Sequence, residues 1–241
     1  MTIARRQDWP SAWVAAGVAA NTPFSSPAAT SSCLLGSGLG AWIIWSDNSS
    51  TLPTTVKDSA NQAWTYSGKT TFDNNTGLNW ALYTFSNNAS ATTLIVSATW
   101  ASLAQTFTGI WPFEISGCTT TPFQTGSANS QDAPGTGVGI ITSTNATPTS
   151  QPCLVHAVSM DSQGNASSVV AGSLVAGTTG LLLSGNTAPS GTSGAVRLTS
   201  TAAFASTFTN ATDGGAASFL TGQSIWTEAA GTNTASIAWV K

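Results

Sequence analysis

From Ser31 onward the chain is built of short runs rich in Val, Ile, Thr, Trp and Phe, parted by clusters of Gly, Asn, Asp, Ser and Pro. The runs fall at 41–45, 63–66, 79–85, 92–100, 105–115, 136–142, 153–159, 167–175, 180–183, 194–198, 217–227 and 234–240. Parallel strands need crossover connections of a dozen or more residues, usually helical, and the gaps here carry turn residues instead. No long amphipathic helical pattern occurs after residue 30. The sequence therefore predicts an antiparallel all-β domain, a sandwich or barrel.

Period-two alternation supports the strand reading. In Thr93–Trp100, Leu94, Val96, Ala98 and Trp100 point one way, and Ile95 joins the Thr and Ser side chains on the other. In 236–240, Ile237 and Trp239 oppose Ala238 and Val240. Residues 1–29 read differently. Asp8-Trp9-Pro10 has the form of a helix start running through Ala20, and Pro23 and Pro27 then force extended backbone. This predicts an N-terminal arm over 1–29 and a β domain over 30–241. The arm either docks on a neighbouring subunit or folds back on its own domain. Polar stretches at 124–152 and 184–193 read as long surface loops.

Charge is the second constraint. Only 6% of the 241 residues are charged, against about a quarter in an ordinary soluble domain. Charged side chains protect sheet edges and keep molecules apart. A β protein nearly without them needs its edges covered, most simply by permanent neighbours, which implies a homo-oligomer or a larger assembly. Six Lys+Arg and a net charge of −3 cannot form the basic stripe that nucleic acid requires. Anionic membrane surfaces are excluded on the same ground. The apolar run Leu34–Trp45 is interrupted by Gly36, Ser37, Gly38 and Gly40 and is too short to span a bilayer. Asp8 and Pro10 likewise interrupt the Ala-rich N-terminus as an export signal.

Residues able to carry chemistry are few. His156 is the single histidine and shares a strand face with Leu154 and Val158, the setting of a hydrogen-bonded core histidine. No Cys-x-x-Cys occurs, and no compact Asp loop suits calcium, so no metal or cofactor is expected. Glu114 and Glu228 are the one acid pair near strands that could serve a glycosidase, and only in a shared open cleft. Glu114, between Phe113 and Ile115, reads better as a carboxylate bonded to a loop backbone. An enzyme is not expected. Cys33, Cys118 and Cys153 are either three small buried residues or include one bridge, for which Cys118–Cys153 is the candidate. Most tryptophans sit at alternating strand positions, where packing is the ordinary outcome. Trp9 and Trp13 lie in the arm and are the candidate partner contacts, with Arg5 and Arg6 beside them.

The order of motifs resembles a class of β-sandwich modules. Val56-x-Asp58-x-x-Asn61-x-x-Trp64 is followed by Trp80-Ala-Leu-Tyr83, Leu94-Ile-Val-Ser-Ala-Thr-Trp100 and Phe113-Glu114-Ile-Ser-Gly117. A terminal Gly231-x-x-x-x-Ser-Ile-Ala-Trp239 closes the series. This is similar to jelly-roll-like modules of bacterial surface proteins and phage virion structural proteins, over residues 40–241. The chain departs from that pattern in carrying Ala60-Asn61-Gln62 where a Gly-Asn pair stands in the class. The resemblance implies a jelly-roll-like β-sandwich in an extracellular or virion-surface setting and no catalytic residues; with the low charge, it makes a virion structural protein with other virion proteins as partners the expectation. A carbohydrate- or receptor-binding module is the alternative, in which exposed tryptophans would stack on a glycan.

Overall fold

The computed structural model describes residues 2–9, 12–14, 18–46, 51–73, 77–101, 108–132, 140–161, 167–169, 175–179, 190–210 and 218–230. Among them the strands are β1 (Ala4–Asp8), β2 (Ala12–Val14), β3 (Phe24–Ser25), β4 (Gly38–Ser46), β5 (Thr55–Asp58) and β6 (Thr65–Asp73). There follow β7 (Leu78–Phe85), β8 (Val96–Thr99), β9 (Thr108–Ser116), β10 (Cys118–Asp132), β11 (Ile140–Thr142) and β12 (Cys153–Asp161). The last are β13 (Ser167–Val169), β14 (Val175–Thr179), β15 (Ser190–Leu198), β16 (Thr207–Asn210) and β17 (Ser218–Glu228). No helix occurs among the described residues. The fold is all-β, as the residue pattern predicts.

The strands form four antiparallel sheets. A six-stranded sheet runs β1–β9–β4–β7–β6, with β2 also on β9, and a five-stranded sheet runs β10–β17–β12–β15–β14. Two three-stranded sheets run β3–β8–β5 and β11–β16–β13. Alternation in β4 explains how they stack. Ala41, Ile43 and Trp45 pack with Val56, Val96 and Ala98 of the β3–β8–β5 sheet and with Trp100 just beyond β8. Trp42 and Ile44 point the other way, onto Leu154, Val158, Leu220 and Trp226 of the five-stranded sheet. The six-stranded sheet is thus covered on both faces, which is why β4 reads as a continuous apolar run. On the far face of β12, Ala157 meets Ile141 and Phe208, tying on the β11–β16–β13 sheet.

Aromatic rings fill the layer between the two large sheets. Trp42 and Trp80 stack at 4.8 Å and 19°. They are diagonal neighbours, since Trp42 pairs with Leu82 and Ile44 with Trp80. Each such ring removes about 150–250 Å² from water, worth roughly 4–6 kcal/mol before the entropy of fixing it. Two glycines make the room. A Cβ on Gly40 would strike the ring of Phe113, its own pairing partner, and one on Gly222 would strike Trp42.

The N-terminal segment is part of this body. β1 pairs with β9 from Ala4↔Ser116 to Asp8↔Phe113, with a bulge between Arg5 and Gln7. Trp9 donates its amide to Pro112 O and buries its indole with Val18, Phe24 and Trp100. The helix expected from Asp8-Trp9-Pro10 gives way to β1 and β2, because pairing with β9 satisfies the backbone while Gln7, Asp8 and Trp9 reach buried partners. Tertiary context here outweighs a local capping signal.

The polar stretch expected as a loop from 124 is also corrected, since 124–132 belong to β10 and pair with β17 as far as Asp132↔Ser218. Its polar side chains serve the backbone that follows. Gln124 accepts from the amides of Thr149 (2.7 Å) and Ser150 (3.1 Å), and Ser127 donates to Thr144 O at 2.6 Å. Likewise 190–193, expected in a loop, lie in β15.

Candidate functional site

An open cleft of about 710 Å³ lies where three segments meet. These are β1 through Arg6, the 32–37 turn before β4, and the β9–β10 corner at Ser116–Cys118; Ala91 and Ala229 complete its wall. Leu34 and Leu35 line it, 39% and 65% exposed. The corner at Gly117 adopts φ +73°, and a Cβ there would meet Thr2 O at 2.7 Å, so glycine lets β1 close on the corner.

Glu114 on β9 anchors the cleft from beneath. It is fully buried and accepts three hydrogen bonds: from Arg6 Nη1 at 2.7 Å, Gln7 Nε2 at 2.6 Å and the Leu34 amide at 2.6 Å. Gln7 extends the link, its Oε1 accepting from Thr30 Oγ1 (3.0 Å) and from the amide and hydroxyl of Ser31. From the other side, Ser37 Oγ and Asn88 Nδ2 donate to Leu34 O at 2.8 and 2.9 Å. Asn88 Oδ1 in turn accepts from Gln62 Nε2, which also reaches Asp58. Leu34 is therefore fastened at both its N–H and its C=O, and the turn presents two leucines from a rigid base.

Asp58 shows what the Asp58…Trp64 motif does. Its carboxylate accepts from the amides of Ala60 and Gln62 and from Trp64 Nε1 at 3.1 Å. Asn61 sits at φ +61°, a left-handed position that Asn tolerates. The motif folds a turn.

A second buried cluster joins β1 to the five-stranded sheet. His156 Nε2 donates to Asp8 Oδ1 at 3.0 Å, Ser193 Oγ donates to Asp8 Oδ2, and Arg5 Nη1 stands 3.5 Å from the same oxygen. Burial pushes the Asp8 carboxyl up, but His156, Arg5 and Ser193 together hold it below the usual carboxylate value. The His156 ring stacks on Phe113 at 3.8 Å. In a serine hydrolase the histidine lies between serine and aspartate. Here aspartate lies between the other two, all three are buried, and the group acts as a clamp.

The sequence-predicted residues fall as follows. Arg5 and Arg6 pair within the chain, with Asp8 and Glu114. Trp9, a candidate partner contact, is 1% exposed in its own core, because β1 carries it there. Trp13 lies in β2, opposite Gly109 of β9. Glu114 bonds the loop amide of Leu34, as its position suggested, while Glu228 pairs with Arg197 at 2.6 Å and neither acid lines the cleft. The Cys118–Cys153 bridge does not form, and all three thiols are free. Cys118 faces Glu228 on one flank of β17 and Cys153 faces Thr227 on the other. Two strand spacings, about 9–10 Å, exceed the roughly 7 Å a disulfide can span. Burial instead pushes Cys33 and Cys118 up to about 12.

Among the described residues no three His, Cys, Asp or Glu side chains converge as metal ligands. The cleft itself escaped sequence reasoning. Its one signal was Cys33-Leu34-Leu35-Gly36, two apolar residues inside a Ser/Gly turn. Comparison with family models, curated proteins and solved structures gives no match.

Proposed function

We propose that the protein is a non-enzymatic structural protein of a virion surface, of the phage capsid decoration or cement kind, acting in repeated copies. On this reading its sheets are an elaborated jelly-roll-like β-sandwich. One observation carries it: among the described residues, most of the few charged side chains bond within the chain, although Lys57 is exposed. Arg5, Arg6, Asp8, Asp58, Glu114 and the Arg197–Glu228 pair all bond within the chain. A sequence with 6% charge that also engages those charges internally leaves an outer surface with little ionic repulsion, suited to permanent neighbours. The carbohydrate-binding alternative needs an exposed aromatic platform, and the tryptophans whose burial is described, Trp9, Trp42, Trp45, Trp64, Trp80, Trp100, Trp111 and Trp226, are all buried.

Sedimentation of the purified chain, alone and mixed with undecorated virion shells, tests the proposal. Self-association or shell binding that persists at high salt is expected. A dispersed monomer at high concentration that ignores the shells refutes it.

A further inference from the structure

We propose that the cleft at Arg6, Leu34 and Leu35 binds a small amphipathic anion, an alkyl carboxylate whose chain lies along the leucines and whose head meets Arg6. Scattered exposed leucines are ordinary. Two adjacent ones lining a concavity of about 710 Å³ are not, and that volume is in the range of small-molecule sites. The site is preformed. Glu114, Ser37 and Asn88 hold Leu34 by its backbone, so little ordering remains to oppose binding.

The head group follows from Arg6. Its side chain is 26% exposed and lines the cleft, and among the described residues its one hydrogen bond is from Nη1 to Glu114. A guanidinium has five N–H donors in a planar fork suited to carboxylate. The Glu114 charge is shared with Gln7 and the Leu34 amide, so the outer edge of Arg6 stays electropositive. The remaining wall does not oppose an anion: Ala91 and Ala229 are apolar, and the Cys33 and Cys118 thiols stay protonated at neutral pH. This site is independent of any assembly role.

Calorimetric titration of the full chain with decanoate and with decanol, below their aggregation limits, tests it. Saturable one-to-one binding of decanoate is expected, with decanol weaker by about tenfold or more, as loss of a charge-assisted hydrogen bond implies. Leu35→Asp and Ala91→Trp alter exposed cleft positions. Both should weaken decanoate by about tenfold or more while leaving the urea midpoint unchanged. No saturable heat with decanoate, equal affinity for decanol, or wild-type affinity in a folded variant each overturns the proposal.

Discussion

Replacing Glu114 tests whether one buried carboxylate unites β1, the 30–34 turn and β9. Its two oxygens meet only donors: Arg6 Nη1, Gln7 Nε2 and the Leu34 amide, all within 2.7 Å. In Glu114→Gln one oxygen becomes an NH₂ group, so at least one donor faces another donor. A buried donor left unsatisfied costs about 1–3 kcal/mol, and the bond lost to a charged partner is at the upper end. Loss of about 2–3 kcal/mol is expected for Glu114→Gln. Glu114→Ala should lose about 3–5 kcal/mol, because Arg6 is stranded without its counter-charge. Urea unfolding followed by tryptophan fluorescence reads this as a lower midpoint at unchanged slope. The pair Arg6→Met with Glu114→Gln removes both charges, and should be less unstable than the sum of the single changes by about 1 kcal/mol or more. A Glu114→Gln variant within about 0.5 kcal/mol of wild type would refute the reasoning, since a shift that small is typical of ordinary surface changes.

Asp8→Asn should destabilise by about 1–3 kcal/mol, as expected when the buried donors of His156 and Ser193 lose a charged acceptor. Because the folded Asp8 carboxyl lies below its unfolded value of about 3.9, its contribution is complete above that pH and is lost as pH falls through the folded value. Acid titration of stability should therefore show a steeper decline below about pH 4 in wild type than in Asp8→Asn. Gly222→Ala should cost about 1–3 kcal/mol or more by forcing Trp42 from its seat, with loss of near-ultraviolet dichroism as the readout. At pH 8, Cys33 and Cys118 should react with a thiol reagent far more slowly in the native protein than in urea, since both are pushed up to about 12. Rapid native labelling of either would contradict that placement.

Strand identity was legible wherever one face is apolar and the other is not. Leu94, Val96, Ala98 and Trp100 are all buried, with Ile95, Ser97 and Thr99 half-exposed between them, as their alternation predicts. The burial of the strand tryptophans and the hydrogen-bonded state of His156 followed from the same pattern. What failed was reading polarity as exposure. β10 is rich in Ser, Thr, Asn and Gln, yet it is a strand, because Gln124 and Ser127 satisfy the backbone of 144–150. β1 was hidden for a related reason. Asp8 carries both a helix-cap signal and the means to bind His156, and only the distant strands β12 and β15 decide between them.

The cleft was illegible for a different cause, because no segment contains it. Leu34 and Leu35 stay exposed only because Leu34 is held by Glu114 from 80 positions away and by Asn88 from 54. Both of those residues are buried, so their side chains act on the surface without appearing there. Arg6 is the cation in the cleft wall, and Glu114 holds it from beneath. On the ligand proposal above, Glu114 takes one edge of the Arg6 guanidinium and leaves the outer edge to the ligand's head group.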